Sequence, residues 1–362
     1  MAKKLMKGCE AIGEAAIRAG CKLFFGYPIT PQNEIPEYMA KRLPEVGGTF
    51  VQAESEVAAS NMLYGAAGSG ERAFTSSSSP GISLMMEAVS YLAGAELPCV
   101  IVNIMRAGPG LGGILPSQSD YFQATKGGGH GDYRCLTLAP WSVQEAADLM
   151  QDAFDLADYY RNPTLVLGDG LIGQMMEPCE FREGRVACKP LAPKNWAATG
   201  NQRGRPRAII NSLFLDPEAL ERHNQDLKKK YDAMARDDVR FATHGADAPY
   251  DILLVAYGTV ARVCSTAVDG LRAAGLGVAL VRPITLFPFP CQAVREAAAK
   301  ARLVLVVELS CGQMLEDVQL AVGETRPVHF LGRQGGLLVS PEQVVERVKE
   351  LVANDKEVRR VG

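Results

Sequence analysis

The sequence predicts an α/β protein: a doubly wound first domain built on a largely parallel sheet, then a second, smaller α/β domain. Three observations carry that prediction. Apolar runs such as 22–25, 99–104 and 164–167 are continuous rather than alternating, as strands are when helices cover both faces of a parallel sheet. Helical stretches lie between them, in the alternating order of a doubly wound fold. The 362 residues exceed one ordinary core, and the alternation starts afresh at Asp251.

In chain order, residues 8–19 form an amphipathic helix that stops at Gly20, a residue suited to a left-handed C-cap. The run 22–25 is the first strand and breaks at Gly26-Tyr27-Pro28; Pro31 suits the first turn of a helix reaching about Arg42. Further strands are expected at 49–52, 72–75, 99–104, 135–138 and 164–167, with helices at 57–67, 82–92 and 143–160. Ligands of such sheets bind beyond the C-terminal strand ends, which selects four loops: 26–31, 53–56, 75–81 and 105–113. The first domain is set at 1–178. Residues 179–248 are a linker, aperiodic over 179–212 and then a charged, solvated helix at 216–240. Lys228-Lys229-Lys230 in that helix is neutralised by Glu218, Glu221, Asp226, Asp232 and Asp237. The second domain is 249–362, with strands at 252–256, 277–282, 303–308 and near 327–331, and helices at 260–274 and 341–353.

Composition excludes several function classes. A net charge of -3 gives no field that would collect nucleic acid or an anionic membrane. No apolar run reaches the roughly 18 residues that span a bilayer. Glu10, Glu14 and Arg18 interrupt the start where a signal peptide would be apolar, so the expectation is a cytoplasmic protein. The cysteines are dispersed with no C-x-x-C, which points to small buried apolar residues rather than zinc or iron–sulfur ligands. The four histidines, His130, His223, His244 and His329, are scattered as well.

Two glycine patterns imitate known sites. Gly108-Pro-Gly-Leu-Gly-Gly113 resembles a dinucleotide fingerprint, but it follows the wrong strand and Pro109 lacks the N–H a pyrophosphate needs. Gly168-Asp169-Gly170 with Asn195 imitates a thiamine-diphosphate/magnesium motif. That motif needs a helix and then a strand to return Asn beside Asp; the gap, with Pro178, Pro190 and Pro193, is read as having no second strand. Helix capping or a turn is the expected role for Asp169, and no metal is expected in this chain.

Several further motifs occur together: Tyr27-Pro-Ile-Thr-Pro31, Glu54-Ser55-Glu56, Thr75-Ser-Ser-Ser-Ser-Pro-Gly-Ile-Ser83, Met105-Arg106-Ala-Gly108, Gln118-Ser-Asp-Tyr121, Gly127-Gly-Gly-His-Gly-Asp132 and Arg282-Pro-Ile-Thr-Leu-Phe-Pro-Phe-Pro290. In this order they resemble the α subunits of 2-oxoacid:ferredoxin oxidoreductases, over about residues 5–350. The resemblance implies a pyrimidine-binding thiamine-diphosphate domain plus a transketolase C-terminal-like domain. It implies thiamine diphosphate shared with a β subunit, with Mg²⁺ and [4Fe-4S] clusters in partner subunits. Further implied partners are γ and/or ferredoxin-like δ subunits, ferredoxin, coenzyme A and a 2-oxo acid. The implied reaction is oxidative decarboxylation to acyl-CoA, CO₂ and reduced ferredoxin, with this chain inactive alone.

Residue by residue, the resemblance gives Glu56 the carboxylate that faces N1′ of the aminopyrimidine. Glu54 is the alternative, and on chemistry alone either acid is also a helix-start residue favoured by the dipole. Arg106 and Thr30 are implied for the substrate carboxylate. Their bland alternatives are an Arg106–Asp120 surface pair and a Thr30 helix cap. Pro28, Ile29, Ser78 within the Ser76–Ser79 run, and His130 are further candidates to line the site.

Residues 127–132 with Tyr121 resemble the branched-chain (2-oxoisovalerate) subgroup. 2-Oxoglutarate stays open, because Lys126 or Arg134 would serve a second carboxylate. A pyrimidine-domain subunit of a non-oxidative thiamine decarboxylase and a non-catalytic scaffold are the rival readings.

Overall fold

A computed structural model describes residues 3–181, 187–200 and 206–354. The first part runs β1 (Lys4–Lys7), α1 (Gly8–Arg18), β2 (Leu23–Gly26), α2 (Glu34–Glu45), β3 (Thr49–Gln52), α3 (Glu56–Gly68), β4 (Ala73–Ser77) and α4 (Ser79–Gly94). It continues with β5 (Cys99–Met105), α5 (Tyr121–Thr125), β6 (Leu136–Leu138), α6 (Val143–Tyr160), β7 (Pro163–Asp169), α7 (Gly170–Gln174) and β8 (Met176–Cys179). After α8 (Pro217–Asp237) come β9 (Phe241–His244), β10 (Ile252–Val255), α9 (Gly258–Ala273), β11 (Val278–Pro283) and β12 (Thr285–Phe287). The chain then makes α10 (Cys291–Lys300), β13 (Leu303–Glu308), α11 (Gln313–Val322), β14 (Val328–Gly332) and α12 (Pro341–Asn354).

The larger sheet has the order β12-β6-β7-β5-β4-β2-β3 and the smaller one β14-β13-β10-β11-β9. Every residue of β4, β5 and β7 is buried, as their unbroken apolar or small-residue sequences require. β2, β3, β4, β5, β6 and β7 run parallel to one another, so their C-terminal ends share one edge. That edge carries all four selected loops.

Several expectations are corrected. α2 starts at Glu34 rather than at Pro31, because residues 29–32 first make a turn in which Gln32 N–H donates to Ile29 O. The gap after Asp169 does contain a strand, β8, which pairs antiparallel with β1 in a separate two-stranded ribbon. β1, β9, β12, α10 and α11 were not anticipated. β12 lies inside the Arg282–Pro290 run and pairs antiparallel with β6, so the last part of the chain extends the first sheet. Six of the nine cysteines are buried: Cys9, Cys21, Cys99, Cys135, Cys179 and Cys264.

The two sheets are bound through buried polar contacts. Gln118 Nε2 donates to Tyr257 O (2.9 Å), and its Oε1 accepts the Leu309 N–H (3.0 Å). Tyr121 donates to Asp317 Oδ2 at 2.6 Å. Arg282 grips both oxygens of Glu145 at 2.8 Å and lies over the Trp141 ring.

Candidate active site at the C-terminal edge of the parallel sheet

β3 delivers the chain to Ala53, whose N–H donates to Gly26 O and ties the second loop to the first. Ser55 is the N-cap of α3, its Oγ accepting the Ala58 N–H at 3.2 Å. Capping is therefore done by Ser55, and neither glutamate is needed for it. Glu54 is exposed, whereas Glu56, the first residue of α3, is only 6% exposed. Its carboxylate accepts no hydrogen bond from the described residues and sits against Gly81 in the first turn of α4.

The end of β4 faces the same space. Ser76 Oγ donates to Gln32 Oε1 (2.6 Å), and the buried Gln32 passes its Nε2 to Tyr27 O (3.3 Å), anchoring the loop of Pro28, Ile29 and Thr30. Thr75 Oγ1, Ser77 Oγ and Ser78 Oγ are buried and have no hydrogen-bond partner among the described residues. Buried polar groups are ordinarily paired, so a run of orphaned hydroxyls marks a place for a polar ligand.

Arg106 follows β5 and is 7% exposed. Its Nη1 donates to Thr30 O (2.9 Å) and Nη2 to Leu111 O (3.1 Å), while Nε has no partner among the described residues. No carboxylate pairs with it among the described residues. Asp120, the anticipated surface partner, instead accepts from Ser79 Oγ (2.6 Å) and Asn103 Nδ2 (2.9 Å). Burial pushes the Asp120 carboxyl above the usual range, against the pull of those two donors. Ser79 Oγ also accepts the Arg106 N–H at 3.1 Å, so Asp120 braces the arginine's backbone rather than its charge. Beside this loop opens a cleft of about 430 Å³, bordered by Ser79, Ser83, Gly108, Asp120, Ser310 and Gln334.

The edge thus gathers the loop residues Pro28, Ile29 and Thr30 with Glu56, Ser78 and Arg106. It does not gather His130, which is exposed beside Ser90 and Tyr91; Ser90 donates to its carbonyl at 2.6 Å. Those partners lie about 16 Å along α4 from Ser79, at 1.5 Å per residue. Thr30 caps no helix: its Oγ1 accepts from Asn33 Nδ2 at 3.4 Å, and Asn33 holds the cap position. Lys126 pairs with Asp317, and Arg134 donates to the Lys126 and Tyr133 carbonyls and lies over the Phe287 ring. Tyr121 is buried between the two sheets.

Asp169 accepts from the Leu171 and Ile172 N–H groups at 2.9 and 3.1 Å, which is the expected helix cap. Asn195 lies at the other edge of the sheet: its neighbour Lys194 pairs with Asp158 of α6 and Ala198 N–H donates to Gly68 O. The glycine loop after Arg106 is closed by Gly113 N–H on Ala107 O and opens no helix. Sequence reasoning missed Gln32, Gly81 and Asn103, and held Ser77 only as a member of the Ser76–Ser79 run.

Fold and site define a cofactor-binding subunit of the thiamine-diphosphate class. A family model described as "Pyruvate flavodoxin/ferredoxin oxidoreductase, thiamine diP-bdg" matches residues 14–237, and "Pyruvate:ferredoxin oxidoreductase core domain II" matches 250–344. The chain belongs to the 2-oxoacid:ferredoxin oxidoreductase family, as its motifs led us to expect. It is 48% identical to ketoisovalerate oxidoreductase subunit VorB of Methanothermobacter marburgensis over 99% of this chain and 100% of that one. It is 37% identical to 2-oxoglutarate synthase subunit KorA of Archaeoglobus fulgidus, over 96% and 99%. A solved 2-oxoglutarate:ferredoxin oxidoreductase from Magnetococcus marinus, with 2-oxoglutarate, coenzyme A and succinyl-CoA bound, superposes with TM-score 0.87 at 28% identity. That match covers 96% of this chain and 65% of the solved one. A split-gene transketolase, at TM-score 0.60 and 13% identity, shares the fold alone. No helix among the described residues is long and apolar enough to cross a membrane.

Proposed function

We propose that this chain is the α-type subunit of a thiamine-diphosphate-dependent oxidoreductase that oxidatively decarboxylates 2-oxoisovalerate to acyl-CoA and CO₂, passing electrons to ferredoxin. The observation that carries this reading is the buried, unpartnered Glu56 carboxylate among orphaned hydroxyls, beside an arginine without a counter-ion. That donor and acceptor set fits an aminopyrimidine, whose ring nitrogens and amino group need both kinds of partner.

Glu56 holds the proton at the ring nitrogen N1′, the general acid–base task for which a buried carboxylate is suited. Ser78 is a further donor at the start of α4, and Pro28 and Ile29 supply apolar wall. Arg106 and Thr30 fix the substrate carboxylate: the two carbonyls on Nη1 and Nη2 aim the guanidinium and leave Nε–H without a protein partner. When bound, thiamine diphosphate supplies the electron sink for loss of CO₂. The diphosphate, Mg²⁺ and [4Fe-4S] clusters belong to a β subunit and its γ and/or ferredoxin-like δ partners, in a cytoplasmic complex.

Two observations favour a branched apolar acid over 2-oxoglutarate. The identity to ketoisovalerate oxidoreductase subunits, at 48%, exceeds the 34–37% to four 2-oxoglutarate synthase subunits. Lys126 and Arg134, the two cations available for a second carboxylate, are committed to Asp317 and to backbone carbonyls.

The test is anaerobic CO₂ release and dye reduction by the chain copurified with its partners, on 2-oxoisovalerate, 2-oxoglutarate and pyruvate. Coenzyme A-dependent turnover with preference for 2-oxoisovalerate is expected. Preference for 2-oxoglutarate overturns the substrate assignment, and no turnover by a complex holding thiamine diphosphate overturns the oxidoreductase reading.

A further inference from the structure

We propose that Gln32 is a positioning residue for the substrate carboxylate: its buried amide sets where the Thr30 carbonyl stands, and through that carbonyl where the Arg106 guanidinium points. The inference rests on the function proposed above, since it deepens the role given there to Arg106 and Thr30.

Gln32 is fully buried, although the loop it closes is open to solvent at Tyr27 and Pro28. Each of its polar atoms has a partner. The main-chain N–H donates to Ile29 O (3.1 Å) and the carbonyl accepts the Ile35 N–H (2.9 Å), so the turn at 29–32 runs straight into α2. The side chain reaches further. Nε2 donates to Tyr27 O (3.3 Å), and Oε1 accepts from Ser76 Oγ (2.6 Å). A backbone carbonyl can only accept, so the amide nitrogen must face Tyr27 and the serine must be the donor at the other end. A carboxylate here would lack the donor, an ammonium the acceptor and an alkyl chain both; the position calls for a long neutral amide.

These bonds close a ring across the site. β4 and β5 are parallel neighbours, paired from Phe74 with Val100 to Ser77 with Asn103. β4 supplies Ser76, Ser76 holds Gln32, and Gln32 holds the loop that carries Thr30. Thr30 O then receives Arg106 Nη1 at 2.9 Å, and Arg106 directly follows β5. The guanidinium is thereby referred to the neighbouring strand end rather than to a free loop. The far side of the loop is held independently. Gln174 Nε2 donates to Pro31 O (2.8 Å) and to Glu34 Oε2 (2.7 Å), and Glu34 Oε1 takes Lys7 Nζ at 2.7 Å. Removing the Gln32 amide therefore loosens residues 27–30 while Pro31 and Glu34 stay clamped, and the disturbance falls on Thr30.

The experiment uses the assembled complex with Gln32→Met, Ser76→Ala, Arg106→Lys and the double variant Gln32→Met/Arg106→Lys. It measures dye-reduction rate against 2-oxo acid concentration, and thiamine diphosphate affinity by calorimetry. Gln32→Met keeps the length and removes both bonds, so KM should rise about 5- to 10-fold while kcat and cofactor affinity stay within about twofold of wild type. Ser76→Ala cuts only the tether to β4 and should raise KM about 2- to 5-fold, which keeps the inference decidable if Gln32→Met does not assemble. Because Gln32 acts through Arg106, the double variant should be no worse than Arg106→Lys alone. Wild-type KM in Gln32→Met, or in Ser76→Ala where the first does not assemble, overturns the proposal. So do effects that multiply in the double variant, which would make Gln32 independent of Arg106. An unchanged KM in Arg106→Lys would instead overturn the assignment of Arg106 to the substrate carboxylate, and the two failures are distinguishable.

Discussion

Replacing Arg106 by lysine keeps the charge and removes the fork. The wild-type guanidinium is aimed by Thr30 O at 2.9 Å and Leu111 O at 3.1 Å, contacts that draw on two separate nitrogens. A lysine ammonium is one compact centre at the end of a flexible stem and cannot satisfy both carbonyls while reaching a substrate. The loss is therefore one aligned, charge-assisted bond to the substrate carboxylate, worth about 1.5–3 kcal/mol, or about 10- to 150-fold in kcat/KM. Because the substrate carboxylate is held from binding onward, the change should appear mainly in KM. Arg106→Met, which removes the charge too, should lose more. The protein should tolerate it, since the arginine has no carboxylate partner to strand. The assay is initial dye-reduction rate of the reconstituted complex against 2-oxo acid concentration. An unchanged KM in Arg106→Lys, or a loss confined to kcat, would refute the assignment of Arg106 to the substrate carboxylate.

Other outcomes follow from the same geometry. Glu56→Gln is isosteric and should lower kcat by about 100-fold or more while the thermal midpoint stays within the error of the scan; turnover near wild type would remove Glu56 from catalysis. Gln118→Ala should strand the Tyr257 carbonyl and the Leu309 N–H at the joint of the two sheets, costing roughly 2–5 kcal/mol in urea unfolding. A loss below about 1 kcal/mol would mean that water or another side chain satisfies both groups. Asp120 has a folded carboxyl shifted upward by burial, so its protonated form favours the fold, and that contribution is lost as pH rises through the folded pKa. Asp120→Asn keeps an acceptor for Ser79 and Asn103, so its midpoint should gain on wild type as pH climbs out of the carboxylate range. A mutant midpoint that falls relative to wild type as pH rises would contradict the shift.

What was legible in the sequence was what local chemistry writes there. β5 and β7 are buried along their whole length, and a strand buried on both faces leaves an unbroken apolar run that any register reveals. β1, β8 and β12 are short, and the first two carry Lys4, Lys7 and Pro178. Their pairing is made across large sequence separations, with no local period to announce it. Pro31 misled for a related reason: proline suits a first helical turn, but equally a turn before one, and the contact that decides is Gln32 with Ser76, a strand away. At the site, Glu56 and Arg106 were reached through the family resemblance, where their own chemistry left other roles open; only Arg106 also stands at the end of a strand buried along its whole length. Gln32 and Asn103 were not reached, since their importance lies in partners supplied by other loops. His130 carried a motif's conspicuous chemistry but an exposed position in a loop beside the far half of α4.

The motifs shared with the family divide into two kinds of work, and the division explains why both kinds travel together. Tyr27–Pro31, Glu54–Glu56 and Thr75–Ser83 make the site edge, whereas Gln118–Tyr121 and Arg282–Pro290 make the joint between the sheets. The joint is not remote from the chemistry. Gln118 is held by Tyr257 and Leu309, and two residues later Asp120 takes Ser79 and Asn103, with Ser79 in turn accepting the Arg106 N–H. A shift of the second sheet would therefore reach the arginine's backbone through three hydrogen-bonded side chains, while its guanidinium remained tied to Thr30 on the opposite loop. The second unit thus serves the site as the brace that fixes where Arg106 stands, although it contributes no residue to the group around Glu56.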